Sequence, residues 1–170
     1  AIEIARRSIV LLKNEALLPI NTRKFKKILV TGPNANNQSI MGDWVFEQPE
    51  KNVSTILKGI KEEASGAQIN YVDVGWNLRA LDSAKIEEAV QTAKSSDLAI
   101  VVVGEDSFRQ HWKEKTCGEN RDRMDIALWG KQDYLVESIY KTGVPTIVIL
   151  VNGRPLATRW IAENIPAIIE

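Results

Sequence analysis

Cysteine occurs once in this chain, at position 117, and histidine once, at position 111. A lone thiol forms no intrachain disulfide, so folding does not depend on an oxidising compartment and is equally compatible with one. An excess of charge is missing too: 22 Lys and Arg balance 22 Asp and Glu, which excludes a strongly basic nucleic-acid binder. No apolar run approaches the ~20 residues of a membrane-spanning helix. The first residues mix charges from Glu3 onward, unlike the apolar stretch of a secretory leader. Neither a nucleic acid nor a membrane is expected as a partner. Phosphate-cradling signatures are also lacking, since Gly32 is followed by Pro33 without a G-x-G-x-x-G pattern and no Gly-Lys-Ser/Thr occurs; no cofactor is expected on that ground. What remains is an ordinary globular composition, 44% hydrophobic and 26% charged over 170 residues, enough for one folded domain.

Both ends read as cuts in a larger protein. Ile2, Ala5, Ile9 and Leu12 share one helical face while Glu3, Arg6, Arg7 and Lys13 lie elsewhere, with no start methionine or N-cap before them. At the other end residues 165–170 begin to read as a strand. Between the ends, short apolar runs at 26–31, 97–104 and 144–152, with a weaker one at 68–74, have the pattern of strands buried on both faces of a parallel sheet. Helical periods separate them: Val53, Ile56, Leu57, Ile60 and Ala64; Ile86, Ala89, Val90 and Ala93; Leu135 and Ile139 within 132–141. Alternating strands and helices predict an α/β fold, a three-layer sandwich built on a mostly parallel open sheet with helices on both faces.

Ligands of such sheets gather beyond the carboxyl ends of the strands. Three polar loops are expected there: 32–37, the long connection 104–128, and 152–155. The long one exceeds an ordinary turn, which marks it as a functional segment. Glu105, Asp106, Glu114, Glu119, Asp122 and Asp125 are interleaved there with Arg109, Lys113, Lys115, Arg121 and Arg123. Composition leaves two readings open, a solvated loop of surface ion pairs or a loop presenting one carboxyl to a substrate with arginines tuning it. His111, Cys117 and Glu119 carry metal-binding donors, but their spacing matches no zinc pattern and no metal is expected. Trp44 and Phe46, following Gly42-Asp43, either cap the core or stack on a flat ligand such as a sugar ring. Trp76, Trp129 and Trp160 read as packing residues.

Taken in order, 7–14 (RSIVLLKN), 17–20 (LLPI), 32–35 (GPNA), 42–44 (GDW), 101–105 (VVVGE) and 151–156 (VNGRPL) resemble the C-terminal α/β-sandwich domain of glycoside hydrolase family 3 over nearly the whole chain. The resemblance implies residues 1–170 of such a domain in a retaining, exo-acting β-glycosidase of the β-glucosidase or β-xylosidase type. Its partners would be a carbohydrate substrate and an N-terminal (β/α)8-type barrel domain bearing an aspartate nucleophile. The sandwich of that family commonly supplies the general acid/base glutamate from a loop reading Gly-Glu, two residues, Asp-Arg. Here 118–132 reads GENRDRMDIALWGKQ, so the resemblance makes Glu119 the acid/base, with Glu105 and Glu114 in reserve. Asp122 and Arg123 are expected beside it as substrate-binding residues or as braces of the loop, and Trp44 on the leaving-group side of the cleft. Trp129 stands where the family usually has proline. A periplasmic or extracellular location follows from family habit, and without its nucleophile this chain alone is expected to be inactive. A non-catalytic flavodoxin-like or receiver-like binding module is the competing expectation.

Overall fold

A computed structural model describes residues 2–170. Six strands form one sheet: β1 (Leu11–Asn14), β2 (Lys27–Thr31), β3 (Gln68–Val72), β4 (Leu98–Gly104), β5 (Thr146–Val151) and β6 (Ala167–Ile169). Their spatial order is β1-β6-β5-β4-β2-β3. All pairings are parallel except β1 with β6. The helices are α1 (Ile2–Ser8), α2 (Ile56–Glu63), α3 (Ser83–Lys94), α4 (Gln132–Tyr140) and α5 (Arg159–Asn164).

The uninterrupted apolar runs are explained by two cores on one sheet. Leu29, Val101, Val103 and Val148 pack with Ile86, Ala89, Leu135, Ile139 and Ile161 on the face that carries α3, α4 and α5. The alternate residues Ile28, Val30, Ile100, Val102 and Ile147 turn the other way, against Leu57 of α2 and Phe25 and Ala35, which flank β2. All seven residues of β4 are buried, which identifies it as the central strand; each large apolar side chain so enclosed contributes roughly 1.5–3 kcal/mol. The helix starts are set locally. The Asp82 carboxylate accepts from Ala84 and Lys85 N–H at the head of α3, and the Thr55 hydroxyl accepts from Lys58 N–H at the head of α2.

One expected element is different. The helical pattern through Ile9 and Leu12 stops at Ser8, and Leu11–Asn14 is an antiparallel edge strand. No α1 residue is buried, so nothing tertiary rewards extending the helix. The ladder does reward a strand: Val10 N–H donates to Glu170 O at 2.7 Å and Glu170 N–H returns to Val10 O at 2.8 Å.

The chain passes from β2 outward to β3, then back across β2 to β4, with α2 and α3 on opposite faces. The winding reverses between β2 and β4, the place where doubly wound sheets open a crevice. Gly32 and Gly104 end these strands at φ +108° and +148°. A Cβ on Gly32 would lie 2.1 Å from Val102 O, and one on Gly104 would lie 1.9 Å from Val151 O. Only glycine lets both chains turn off the sheet while pressed against the neighbouring strand.

Candidate active site at the carboxyl edge of the sheet

The floor of the crevice is a layer of buried polar groups. Gln132, at the head of α4, accepts from Gly104 N–H at 2.8 Å and donates to Gly104 O at 3.0 Å and Trp129 O at 3.1 Å, which joins the exit of β4 to the far end of the long loop. Glu105 is buried, 3.1 Å from an Arg123 nitrogen and 3.4 Å from Arg154 Nε. Asp106 accepts from Ser39 Oγ at 2.8 Å and Phe108 N–H at 2.9 Å, and its other oxygen lies 2.6 Å from His111 Nδ1. The Asp106 carbonyl accepts from Thr116 and Cys117 N–H. Buried groups need such partners, because leaving one unpaired costs about 1–3 kcal/mol. The reading of this loop as solvated surface ion pairs therefore fails for Glu105, Asp106 and Lys115, which are 2%, 2% and 0% exposed. Burial also pushes the Cys117 thiol up to about 12, with Glu105 adding to the shift.

Glu119 stands above this floor. Gly118 turns the backbone before it at φ +89°, and the Glu119 N–H donates to Asp43 Oδ2 at 2.6 Å. The Glu119 carboxylate is exposed and accepts from Arg109 at 3.2 Å. Arg109 also lies 3.8 Å from Asp43 Oδ1, and its guanidinium sits 4.0 Å from the centre of the Trp44 ring. Asp43 in turn receives both oxygens' worth of Lys115 Nζ, at 3.1 and 3.0 Å. Desolvation pushes the Asp43 carboxyl up, but the Glu119 N–H, the Lys115 ammonium and Arg109 outweigh it and hold the group below its ordinary value.

The expected site residues thus fall into two groups. Glu119 and Trp44 come together through Arg109. Trp44 and Phe46 are 72% and 80% exposed, so neither caps the core. Arg123 points inward, bonded to Glu105 and to Ala127 O, and Asp122 is exposed without a side-chain hydrogen bond among the described residues. Of the reserve carboxylates, Glu105 is enclosed by arginines and Glu114 is half-buried on the turn before Lys115. His111, Cys117 and Glu119 do not converge, and no group of three His, Cys, Asp or Glu with metal-binding geometry occurs among the described residues. Trp160 packs against the larger core and Trp129 lies under Arg79 and Arg123. Trp76 differs from its expected packing role: it is 41% exposed beyond β3 and stacks on His111 with ring centres 3.8 Å apart. Sequence reasoning missed Lys115 as part of the site, because in a loop with five basic residues nothing local marks the one that will be buried.

Residues 9–170 match the Glycosyl hydrolase family 3 C-terminal domain. The chain belongs to this family. A β-xylosidase from Formosa agariphila is 40% identical across all of this chain, which covers 23% of that protein. A periplasmic β-glucosidase from Salmonella typhimurium is 33% identical over 99% of the chain and 24% of the relative. Among solved structures, a family 3 exo-β-xylosidase in complex with a xylobiose aziridine probe superposes with a TM-score of 0.82 at 29% identity, over 98% of this chain and 20% of that one. The β-glucosidase of Listeria innocua in complex with isofagomine gives 0.80 at 26% identity, over 96% and 21%. This family 3 C-terminal domain therefore spans a fifth to a quarter of the length of such relatives. Its doubly wound sheet is that of a family 3 sandwich, which displaces the flavodoxin-like and receiver-like alternatives. No helix is long and apolar enough to cross a membrane among the described residues.

Proposed function

We propose that residues 1–170 form the acid/base-bearing wall of the active-site cleft in a retaining, exo-acting β-glycosidase of the β-glucosidase or β-xylosidase type. The observation that carries this reading is the placement of Glu119: it is the loop carboxylate that is both exposed at the crevice and anchored through its own backbone. Glu105 and Asp106, by contrast, are spent on internal partners. The relatives named as β-xylosidase and β-glucosidase support the substrate class.

A retaining glycosidase needs two carboxyl groups about 5–5.5 Å apart. In the proposed reaction an aspartate on a barrel domain attacks the anomeric carbon while Glu119, protonated, gives its proton to the leaving-group oxygen. Glu119 then accepts a proton from the water that releases the sugar. Placing one carboxyl on each domain lets closure set their separation and exclude water. The free face of Trp44 suits the apolar face of the leaving-group sugar. A periplasmic or extracellular setting belongs to the same reading, supported by the periplasmic relative.

The test is Glu119→Ala in the intact protein that contains this chain. Turnover of an unactivated disaccharide is expected to fall by ~10²–10⁴, a dinitrophenyl glycoside is expected to be cleaved far better than the disaccharide, and azide should restore turnover as the glycosyl azide forms. Unchanged disaccharide turnover removes Glu119 from the role.

A further inference from the structure

The Asp43–Lys115 pair is unusual for its surroundings. Lys115 is 0% exposed and is the largest fully buried side chain, although lysine is rarely enclosed without a specific reason. Its ammonium meets both Asp43 oxygens and lies 4.3 Å from the centre of the Trp112 ring. A pair of this kind adds little to stability compared with apolar packing of the same volume, because both charges lose water. It does fix direction. With Lys115 on one side, the Asp43 carboxylate is aimed at the Glu119 N–H, 2.6 Å away, and reaches toward Arg109 with its other oxygen.

Two further observations converge on the same carboxylate. A Cβ on Gly118 would lie 2.5 Å from Asp43 Oδ2, so a glycine is what allows the carboxylate to approach the Glu119 backbone. Arg109 is shared between Asp43, Glu119 and the Trp44 ring. Asp43 and Trp44 are neighbours in sequence, on the loop after β2, while Lys115 and Glu119 lie on the loop after β4. The contact thus fastens the aromatic wall and the carboxyl to one another across the switch point.

We propose that Asp43 is the positioning residue of the acid/base, oriented by the buried Lys115 ammonium and acting through the Glu119 backbone and Arg109. This rests on the acid/base reading of Glu119. When Glu119 carries the transferable proton it is a poorer acceptor for Arg109, and Asp43, 3.8 Å from the guanidinium, is the ionised carboxylate whose charge keeps Arg109, and with it Trp44, in place. A displacement of about 1 Å in a catalytic group is enough to cost ~10²-fold in rate.

The experiment compares Asp43→Ala, Lys115→Met, Glu119→Ala and the Asp43→Ala/Glu119→Ala double variant in the intact protein, with kcat/KM measured on an unactivated disaccharide and on a dinitrophenyl glycoside. Glycosylation of the second substrate needs no proton from the enzyme. Asp43→Ala is expected to lower kcat/KM for the disaccharide by ~10–100-fold and for the dinitrophenyl glycoside by less than ~3-fold. Lys115→Met should follow the same pattern more weakly, because it keeps the acceptor for Glu119 N–H. The double variant should be no slower on the disaccharide than Glu119→Ala. Equal losses on both substrates, or multiplicative losses in the double variant, overturn the positioning role. Should Asp43→Ala fold poorly, Lys115→Met decides the matter by the same ratio of substrates. If Glu119→Ala itself shows no dependence on the leaving group, the acid/base reading fails; if it does and neither Asp43→Ala nor Lys115→Met shows any, only the positioning role fails.

Discussion

Gly118, Asp43, Lys115 and Cys117 each make a sharp claim at the scale of single residues. Gly118→Ala combines a strained φ of +89° with a Cβ 2.5 Å from Asp43 Oδ2, so it should lower stability by about 1–3 kcal/mol, read from chemical denaturation; under the proposed acid/base role it should also impair disaccharide turnover by the intact protein, read from kinetics. Lys115→Ala leaves Asp43 without its buried partner and should cost about 3–5 kcal/mol, read from urea midpoints at neutral pH. The depressed Asp43 carboxyl has a signed consequence. Its folded value lies below the ordinary 3.8, so its stabilisation is complete above about that pH and is lost as pH falls through the lower folded value. Urea denaturation between about pH 5 and 2 should therefore show a shallower acid-side decline for Asp43→Asn than for the natural chain. Cys117, pushed up to about 12 by burial and then by Glu105, should resist iodoacetamide at about pH 8 while the protein is folded and react fully in denaturant, as followed by mass spectrometry.

At the scale of elements, the strands buried on both faces were legible because dense runs of Val, Ile and Leu have few alternative uses at that length. Residues 97–104 and 144–152 contain β4 and β5 with one and three residues to spare. α3 was legible from Ile86, Ala89 and Ala93, all now buried. The failure at Ile9 and Leu12 is informative. Their spacing suited a helix, but the β6 strand at the far end of the chain supplied the hydrogen bonds, and periodicity is blind to pairing at that distance. It follows that removal of residues 2–15 would leave the β6 edge unpaired, and light scattering should show association of the shortened protein. The core between sheet and helices makes a quantitative claim too: Leu135→Ala, at a fully enclosed site on α4, should destabilise by about 2–5 kcal/mol in chemical denaturation.

At the scale of the whole molecule, the chain spans about a quarter of the β-xylosidase and β-glucosidase relatives, and the proposed two-carboxyl mechanism, with one group on each domain, makes a strong statement about it. Purified alone, it should not cleave aryl β-glucosides or β-xylosides, and measurable hydrolysis would overturn that division of labour. The amino-acid order by itself determined the fold class, because binary pattern and element length are local properties that few architectures satisfy. It also determined where a functional loop must lie, since every loop after a parallel strand emerges on one edge. It carried Glu119 and Trp44 as candidates through their ordered motifs. Only the tertiary structure decided which charges of that loop are structural and which face the crevice. Glu105, Asp106 and Lys115 are indistinguishable from their exposed neighbours in composition. Each of the three buried charges meets a partner from another loop that local sequence does not reveal: Arg154, together with Arg123 of the same loop, for Glu105; Ser39, together with His111 of the same loop, for Asp106; and Asp43, 72 residues away, for Lys115.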